Sequence, residues 1–371
     1  MMKQGDRIFF VPRNDTAAYI AANLEVLKMK HLRLKGILGT ALAFTMALTG
    51  CSGNTSSTGS TANNSGAADD GKLNIGIIQY GTHPSLDNCY QGIINGLEAS
   101  SYADKINIDT QNGAFDSATC DSIAATMAAK EYDLIFAIAT PAALSAYGAA
   151  KDAEIPVIFC AVSDPVAAGL TESFDAGLDY CVGTSDVLEF DKQVELIKTL
   201  QPEAKKIGVL YTTTEANSVS QLKTLKEVCA TQGMEVVEQG VSTAADIPQA
   251  AASLAGQVDC LNNFTDNNVV NNLSVVLEKA NAAGVPVYGS EIEQVKNGCL
   301  ASISIDYVSL GEKTAEMGVK VLDGTKCSEM AVGKISEGTP VVNTEVLEAF
   351  GITLPESLAD AEKVVTNKEA E

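Results

Sequence analysis

The 371-residue chain contains two histidines, His31 and His83. His83 stands in the stretch QYGTHPSLDN (residues 79–88), after the apolar run Ile75–Ile78 and before a helical pattern that starts near Leu86. A histidine beside Ser85 or Asp87 has the residue types for general-base catalysis. Nothing else in the chain supports that chemistry: there is no G-x-S-x-G elbow, no second histidine nearby and no pair with metal-ligand spacing. A His-Pro turn beyond a strand end more simply supplies a hydrogen bond and fixes a loop at the lip of a cleft.

The other candidate residues share that position, just past an apolar run. In the first half they are Tyr80–Leu86, Thr140-Pro141, Ser163-Asp164-Pro165 and Thr184-Ser185-Asp186. In the second they are Thr212–Ser218, Thr265-Asp266-Asn267, Ser290-Glu291 and Asp306-Tyr307. Each brings hydroxyls, amides, carboxylates or a proline, which is also what helix N-caps and first turns require. One such end reads equally well as a cap; eight that converge read as a binding crevice.

The elements that would make them converge are legible as a repeat. Ile75-Gly76 matches Ile207-Gly208 at an offset of 132 residues, Asp133–Phe136 matches Asp259–Asn262 at 126, and Glu154–Ile158 matches Gly284–Tyr288 at 130. Thr184-Ser185-Asp186 aligns with Ser304-Ile305-Asp306 at 120. Short apolar runs alternate with amphipathic helical stretches, the pattern of βαβ units on parallel sheets. A period near 130 residues is too long for a solenoid. The expected fold class is therefore α/β: two similar doubly wound, Rossmann-like parallel-sheet lobes. In such sheets ligands bind at the carboxyl ends of the strands, beside helix N-termini.

Composition narrows the ligand. Seven Lys/Arg and three Asp/Glu precede Cys51, leaving 18 basic and 44 acidic residues from there on, a net charge of −26. All three arginines (Arg7, Arg13 and Arg33) lie before Cys51. An acidic, arginine-free body excludes a nucleic-acid surface. It also lacks the bidentate clamp for carboxylate or phosphate. An anionic ligand group must then be held by backbone N–H groups, helix N-termini and hydroxyls. There is no tryptophan, so aromatic contact falls to Tyr and Phe. Eight cysteines follow Cys51, at 89, 120, 160, 181, 229, 260, 299 and 327, without a CxxC pair. Several sit in apolar runs and read as buried free thiols; Cys160–Cys181 and Cys89–Cys120 are the disulfide pairs to test.

Residues 29–50 have a basic start (Lys30, Arg33, Lys35) and an apolar stretch from Gly36 to Ala47 that is short for a bilayer span. The ending Leu48-Thr49-Gly50-Cys51 resembles the lipobox of bacterial lipoproteins, which implies lipid on the Cys51 thiol and cleavage before it. The Ser/Gly/Asn/Thr-rich residues that follow read as a flexible tether reaching roughly 25 Å.

Five motifs in order carry a wider resemblance: His83–Asp87, Ile138–Ala143, Ala161–Leu170, Glu215–Ser218 and Ile305–Tyr307. Together they resemble the tryptophan/tyrosine-type substrate-binding lipoproteins of ABC importers, over nearly all of residues 72–325. The resemblance implies the type I periplasmic-binding-protein fold, in which two lobes on a three-segment hinge close over a ligand. It implies an aromatic amino acid as ligand, permease and ATPase subunits as partners, a monomer, no cofactor and no enzymatic activity. The residues alone leave open a sensory binding protein serving a membrane kinase, or another small polar solute.

The chain divides on this reading into a signal peptide (1–50), lipidated Cys51 and tether (51–71), lobe I (72–187 plus 304–326) and lobe II (188–303 plus 327–365). Hinge strands are expected near Thr184–Leu188, Asn297–Ser304 and Asp323–Cys327. The tail after Thr325 is expected to add a strand and a short helix to lobe II. An α-carboxylate would take the helix starts at Thr140-Pro141 and Ser163-Asp164. An α-ammonium would take Asp306 or Asp266, with Glu215 a further candidate. Tyr80, Pro84, Leu86, Phe264 and Tyr307 would supply apolar contacts; His83, Ser85, Thr184 and Asn217 complete the expected ligand contacts.

Overall fold

The computed structural model describes residues 71–335 and 338–367. The expected signal peptide, the lipidation site Cys51 and the tether up to residue 70 lie outside the described residues. Chain contacts separate Met1–Ala67 from Ala68–Glu371, and the latter unit holds everything described below. No helix among the described residues is long and apolar enough to cross a membrane.

The first lobe is built on five parallel strands in the order β2-β1-β3-β4-β5: β1 (Leu73–Gln79), β2 (Ile106–Asn112), β3 (Leu134–Ile138), β4 (Val157–Cys160) and β5 (Cys181–Gly183). β3 and β4 are buried along their whole length, as a central strand covered on both faces must be. Helices α1 (Pro84–Glu98), α2 (Ser117–Ala129) and α3 (Thr140–Ala150) make the crossovers.

The second lobe repeats the arrangement as β7-β6-β8-β9, again parallel: β6 (Lys206–Thr212), β7 (Glu235–Val241), β8 (Cys260–Asn262) and β9 (Val287–Tyr288). Its helices are α4 (Phe190–Leu200), α5 (Ala216–Gln232), α6 (Ile247–Ala255), α7 (Asn267–Asn271), α8 (Leu273–Ala282) and α9 (Ile292–Lys296). The sequence repeat is thus a repeat of strand order: β1, β3 and β4 correspond to β6, β8 and β9. β10 (Ala301–Ser304) leads back to the first lobe, where α10 (Tyr307–Leu322) packs along α1. Gly92 and Gly311 face each other there, and an ideal Cβ on Gly92 would lie 2.8 Å from Gly311 Cα, so the two backbones meet directly.

The tail forms β11 (Thr339–Asn343), α11 (Thr344–Ala349) and β12 (Glu362–Val364). β11 pairs antiparallel with β10 and parallel with β12. Val341, Val342 and Leu347 enter the second lobe's core.

Two chain crossings differ from expectation. Leu300 and Ala301 are in the second lobe's core and Tyr307 is in the first's, so the second crossing falls at Ser304–Tyr307 rather than from Asn297. The third falls beyond Ile335, which still packs on the first lobe, not at Asp323–Cys327. Cys327 and Val332 pack in the first lobe's core, and Gly333 exchanges backbone hydrogen bonds with Gly183 (2.9 Å) and Ser185 (2.9 Å). This added bridge beside Thr184 keeps residues 327–335 on the first lobe, and no apolar periodicity marks it in the sequence.

Candidate functional site

In the strand order 2-1-3-4-5, β1 and β3 run to helices on opposite faces, and a crevice opens between their carboxyl ends. The second lobe has the equivalent crevice between β6 and β8. A narrow cavity of about 20 Å³, room for little more than a water in this arrangement of the lobes, lies where the two crevices face each other.

All eight strand ends contribute to its wall. His83, Ser85 and Leu86 come from the end of β1; Ala139 and Thr140 from β3; Ala161 and Ser163 from β4; Asp186 from β5. Across the cleft, Asn217 follows β6, Thr265, Asn267 and Val270 follow β8, and Glu291 and Gln294 follow β9. Tyr307, after β10, closes the hinge end. Ala139 (φ 78°) and Ala161 (φ 56°) adopt left-handed backbone at the ends of β3 and β4. For a residue with a Cβ this costs of order 1–3 kcal/mol, held here by Ala139 N–H donating to Cys160 O at 2.9 Å.

The acidic residues fall into two groups. Those that cap or brace helices are saturated. Asp306 is exposed and accepts from Val308 N (2.9 Å), Ser309 N (3.3 Å) and Ser309 Oγ (2.7 Å) at the start of α10. Asp266 is buried, but accepts from Thr212 N (2.5 Å), Thr212 Oγ1 (2.8 Å), Ser218 Oγ (2.7 Å) and Val269 N (2.9 Å). Glu215 accepts from Asn267 N and Nδ2 and from Asn268 N. The carboxylates on the cavity wall are Asp186 and Glu291. Asp186 Oδ2 accepts from Tyr307 OH at 2.8 Å, while buried Oδ1 makes no hydrogen bond of good geometry among the described residues, although the Ser163 hydroxyl is near enough to favour the ionised carboxyl. Glu291 caps α9 through Glu293 N (2.6 Å) and Gln294 N (2.9 Å). No lysine or arginine lines this wall.

The helix starts complement the acids. α1, α3 and α5 reach the cleft with no side-chain cap on their first turns, whereas α7, α9 and α10 are capped by Asp266, Glu291 and Asp306. The uncapped termini leave electropositive N–H groups at the site, the resource an arginine-free cleft has for an anion.

The model of the family described as ABC transporter substrate binding protein matches residues 74–365. The chain belongs to that family. A Clostridioides difficile protein named tyrosine-binding protein is 42% identical over 327 residues, 87% of this chain and 92% of its own length. The crystal structure of a Streptococcus pneumoniae ABC domain in complex with L-Trp superposes with a TM-score of 0.77 at 34% identity, covering 79% of this chain and all of that one. The ligand-free, open structure of a substrate-binding protein with adhesive properties from Clostridium difficile is 40% identical yet scores 0.62, over 80% of this chain and all of that one. This substrate-binding protein thus superposes better on the L-Trp complex than on the open, ligand-free structure. The fold is that of the type I periplasmic binding proteins, and the substrate-binding proteins of ABC importers are extracytoplasmic.

Of the residues singled out from the sequence of this substrate-binding protein, His83, Ser85, Leu86, Thr140, Ser163, Asn217 and Tyr307 stand on the cavity wall. The others do not. Tyr80 lies beneath it, its hydroxyl donating to Phe115 O (3.1 Å) and its ring edge-on to Phe115. Pro141 occupies the first turn of α3. Thr184 is buried against Thr314 (2.7 Å). Asp164 bonds Ala167 N (2.9 Å) and, across the cleft, Ser220. Glu215, Asp266 and Asp306 serve helices as described. Phe264 is fully buried against Phe190, and Pro84 is exposed at the start of α1. Asp186 and Glu291 belonged to strand-end stretches already in view, but nothing in their residue types set them above Asp306 or Asp266.

Burial shapes the charges. It pushes Glu291 up to about 7, against the stabilising N–H groups of Glu293 and Gln294. It raises Asp186 as well, partly offset by Tyr307 and Ser163. His83 is driven down to about 4 by burial, which outweighs Asn267 and Asp87, so its imidazole is neutral near pH 7. Its ring stacks on Phe115 with centroids 6.2 Å apart, and neither nitrogen has a hydrogen-bond partner among the described residues. Asn217 donates through Nδ2 to Thr265 O (3.2 Å), while its Oδ1 is buried and unpartnered.

Proposed function

We propose that this chain is the solute-capturing lipoprotein of an ABC importer, anchored through Cys51, which takes up an aromatic amino acid between its lobes and delivers it to a membrane permease without chemical conversion. The observation that carries the ligand reading is the bare Oδ1 of Asp186. A buried carboxylate oxygen without a cation is costly, and an α-ammonium supplies the missing charge.

On this reading the ammonium sits against Asp186 with Glu291 close by. The α-carboxylate meets the uncapped start of α3 and the hydroxyls of Thr140 and Ser163. The side chain runs past Leu86, Val270 and the neutral face of His83, and Asn217 Oδ1 accepts from a ring OH or NH. Closure excludes water and strengthens each charged contact. The tyrosine-binding relative and the L-Trp complex support an aromatic amino acid. The body acts as a monomer on its tether.

The test is a melting-temperature and calorimetric screen of the twenty amino acids, indole derivatives, nucleosides and simple sugars. A ligand at 100 times its Kd adds about 2.7 kcal/mol. A selective response to Tyr, Trp or Phe that disappears in Asp186→Asn supports the reading; a response confined to another class sinks the ligand assignment.

A further inference from the structure

We propose that Asp164 and Ser220 form a latch that holds the lobes together from outside the cavity, setting how long a trapped ligand stays. Asp164 follows β4 on the first lobe, and Ser220 lies in the first turns of α5 on the second. The Asp164 carboxylate is divided between two tasks. Oδ1 accepts from Ala167 N at 2.9 Å, which pins the side chain to its own turn. Oδ2 accepts from Ser220 Oγ across the cleft. Neither residue is on the cavity wall, so the pair makes no contact a ligand would replace.

Its neighbours make the arrangement a row. Ser163 Oγ and Thr265 Oγ1 meet across the cleft at 3.2 Å, and Gln221 Nε2, one residue beyond Ser220, donates to the same Thr265 hydroxyl at 2.7 Å. Ser163 and Thr265 also line the cavity, so ligand contact and lobe contact are mixed there. At Asp164–Ser220 they are separate. A hydrogen bond to an ionised acceptor is stronger than a neutral one, and both groups are only partly buried. Opening therefore returns them to water at modest cost, as a reversible latch requires. Asp164 and Ser220 are positioning residues for the closed state: they favour it before any ligand contact is counted, and binding need shift the equilibrium by that much less.

The latch rests on the reading of a closing cleft, not on which ligand it holds. Full-length protein is compared with Ser220→Ala, Ser220→Thr and the double variant Asp164→Ala/Ser220→Ala. Dissociation of L-tyrosine or L-tryptophan is followed by competitor chase, and the radius of gyration without ligand by small-angle scattering. Ser220→Ala removes only a hydroxyl from a helix surface, and its melting temperature checks that the fold is kept. The expected result is dissociation about 5- to 20-fold faster, a larger radius of gyration, and recovery of both in Ser220→Thr. The double variant should add little to Ser220→Ala in dissociation rate, since both changes cut one bond. Wild-type dissociation and scattering in Ser220→Ala, or equal behaviour of the Ala and Thr variants, overturns the latch. If neither amino acid binds the wild-type protein, the ligand reading has failed, and the scattering comparison still decides the latch.

Discussion

Tyr307 donates its hydroxyl to one oxygen of Asp186 at 2.8 Å and leaves the other bare on the cavity wall. Tyr307 starts α10 and Asp186 follows β5, so the pair also joins two of the chain segments next to the hinge. Asp186→Asn keeps an acceptor for Tyr307 and removes the charge. Affinity for an ammonium ligand should fall by about 2–5 kcal/mol, thirtyfold or more. The unliganded melting temperature at pH 8 should hold or rise, because a buried charge without a cation has gone. Titration calorimetry and melting on one sample check both; unchanged affinity would move the ammonium elsewhere.

Asp306→Ala makes the opposite separation. The side chain caps α10 and is exposed, so its loss should cost about 0.5–2 kcal/mol of stability. Ligand affinity should stay within about twofold once the protein is folded. A large affinity loss at unchanged stability would return Asp306 to the site.

The pH profile follows from buried groups. Glu291 and Glu215 have folded pKa values of about 7 and about 8, above the 4.5 of an ordinary glutamate. The folded state binds more protons, so both lower stability as pH rises from 4.5 through those values. His83, at about 4 against 6.5, acts the other way and lowers stability as pH falls through that window. Between pH 6.5 and 8 the glutamates lower stability as pH rises, and Asp186, also raised by burial, acts in the same direction. The unliganded melting temperature should fall across that interval, less steeply in Glu291→Gln. Ammonium binding favours ionised Glu291, so affinity should weaken from pH 8 to pH 6. Thermal melts and calorimetry at half-unit steps read both; a wild-type slope in Glu291→Gln would show that Glu291 does not titrate there.

The fold was legible because it is written twice. Ile75-Gly76 and Ile207-Gly208 lie within strands β1 and β6, which hold equivalent places in their sheets. The site was legible only as a set of strand ends. At each end a carboxylate caps the next helix or faces the ligand, and residue type does not say which. Asp306 and Asp266 turned to their helices, while Asp186 was held at the cavity by Tyr307, 121 residues away. Such long-range pairing leaves no local trace, and the same holds for Gly333 beside Thr184, which moved the third crossing.

The cysteines give a prediction about order rather than function. All eight described thiols are free and buried. Burial pushes Cys120, Cys229 and Cys327 up to about 11. Thiolate is the reactive form, so iodoacetamide at pH 8 should leave all eight unmodified in the native protein and alkylate all eight in denaturant. Intact-mass spectrometry counts the adducts. Fewer than eight in denaturant without reductant would reveal a disulfide, and native labelling at any of them would show local opening.

The contact of α1 with α10 supplies the last prediction. Gly92 and Gly311 let the helices touch backbone to backbone, and an ideal Cβ on Gly311 would lie 2.9 Å from Gly92 Cα and closer still to Cys89 O. Backbone cannot yield as a side-chain tip does, so Gly92→Ala must push the helices apart, at about 1–3 kcal/mol or more. Both helices begin at the cavity: α1 carries Ser85 and Leu86, and α10 carries Tyr307. Parting them should therefore weaken ligand binding as well as folding. Gly96→Ala, one turn along, would place its Cβ 2.5 Å from Ala315 Cβ and 3.2 Å from Glu312 O, a milder overlap than the three close backbone atoms at Gly92, so it should cost less on both counts. Urea midpoints and ligand affinities of the two variants decide the matter: equal effects would mean that the helix pair has slack, and that the spacing of Ser85 and Tyr307 is set elsewhere.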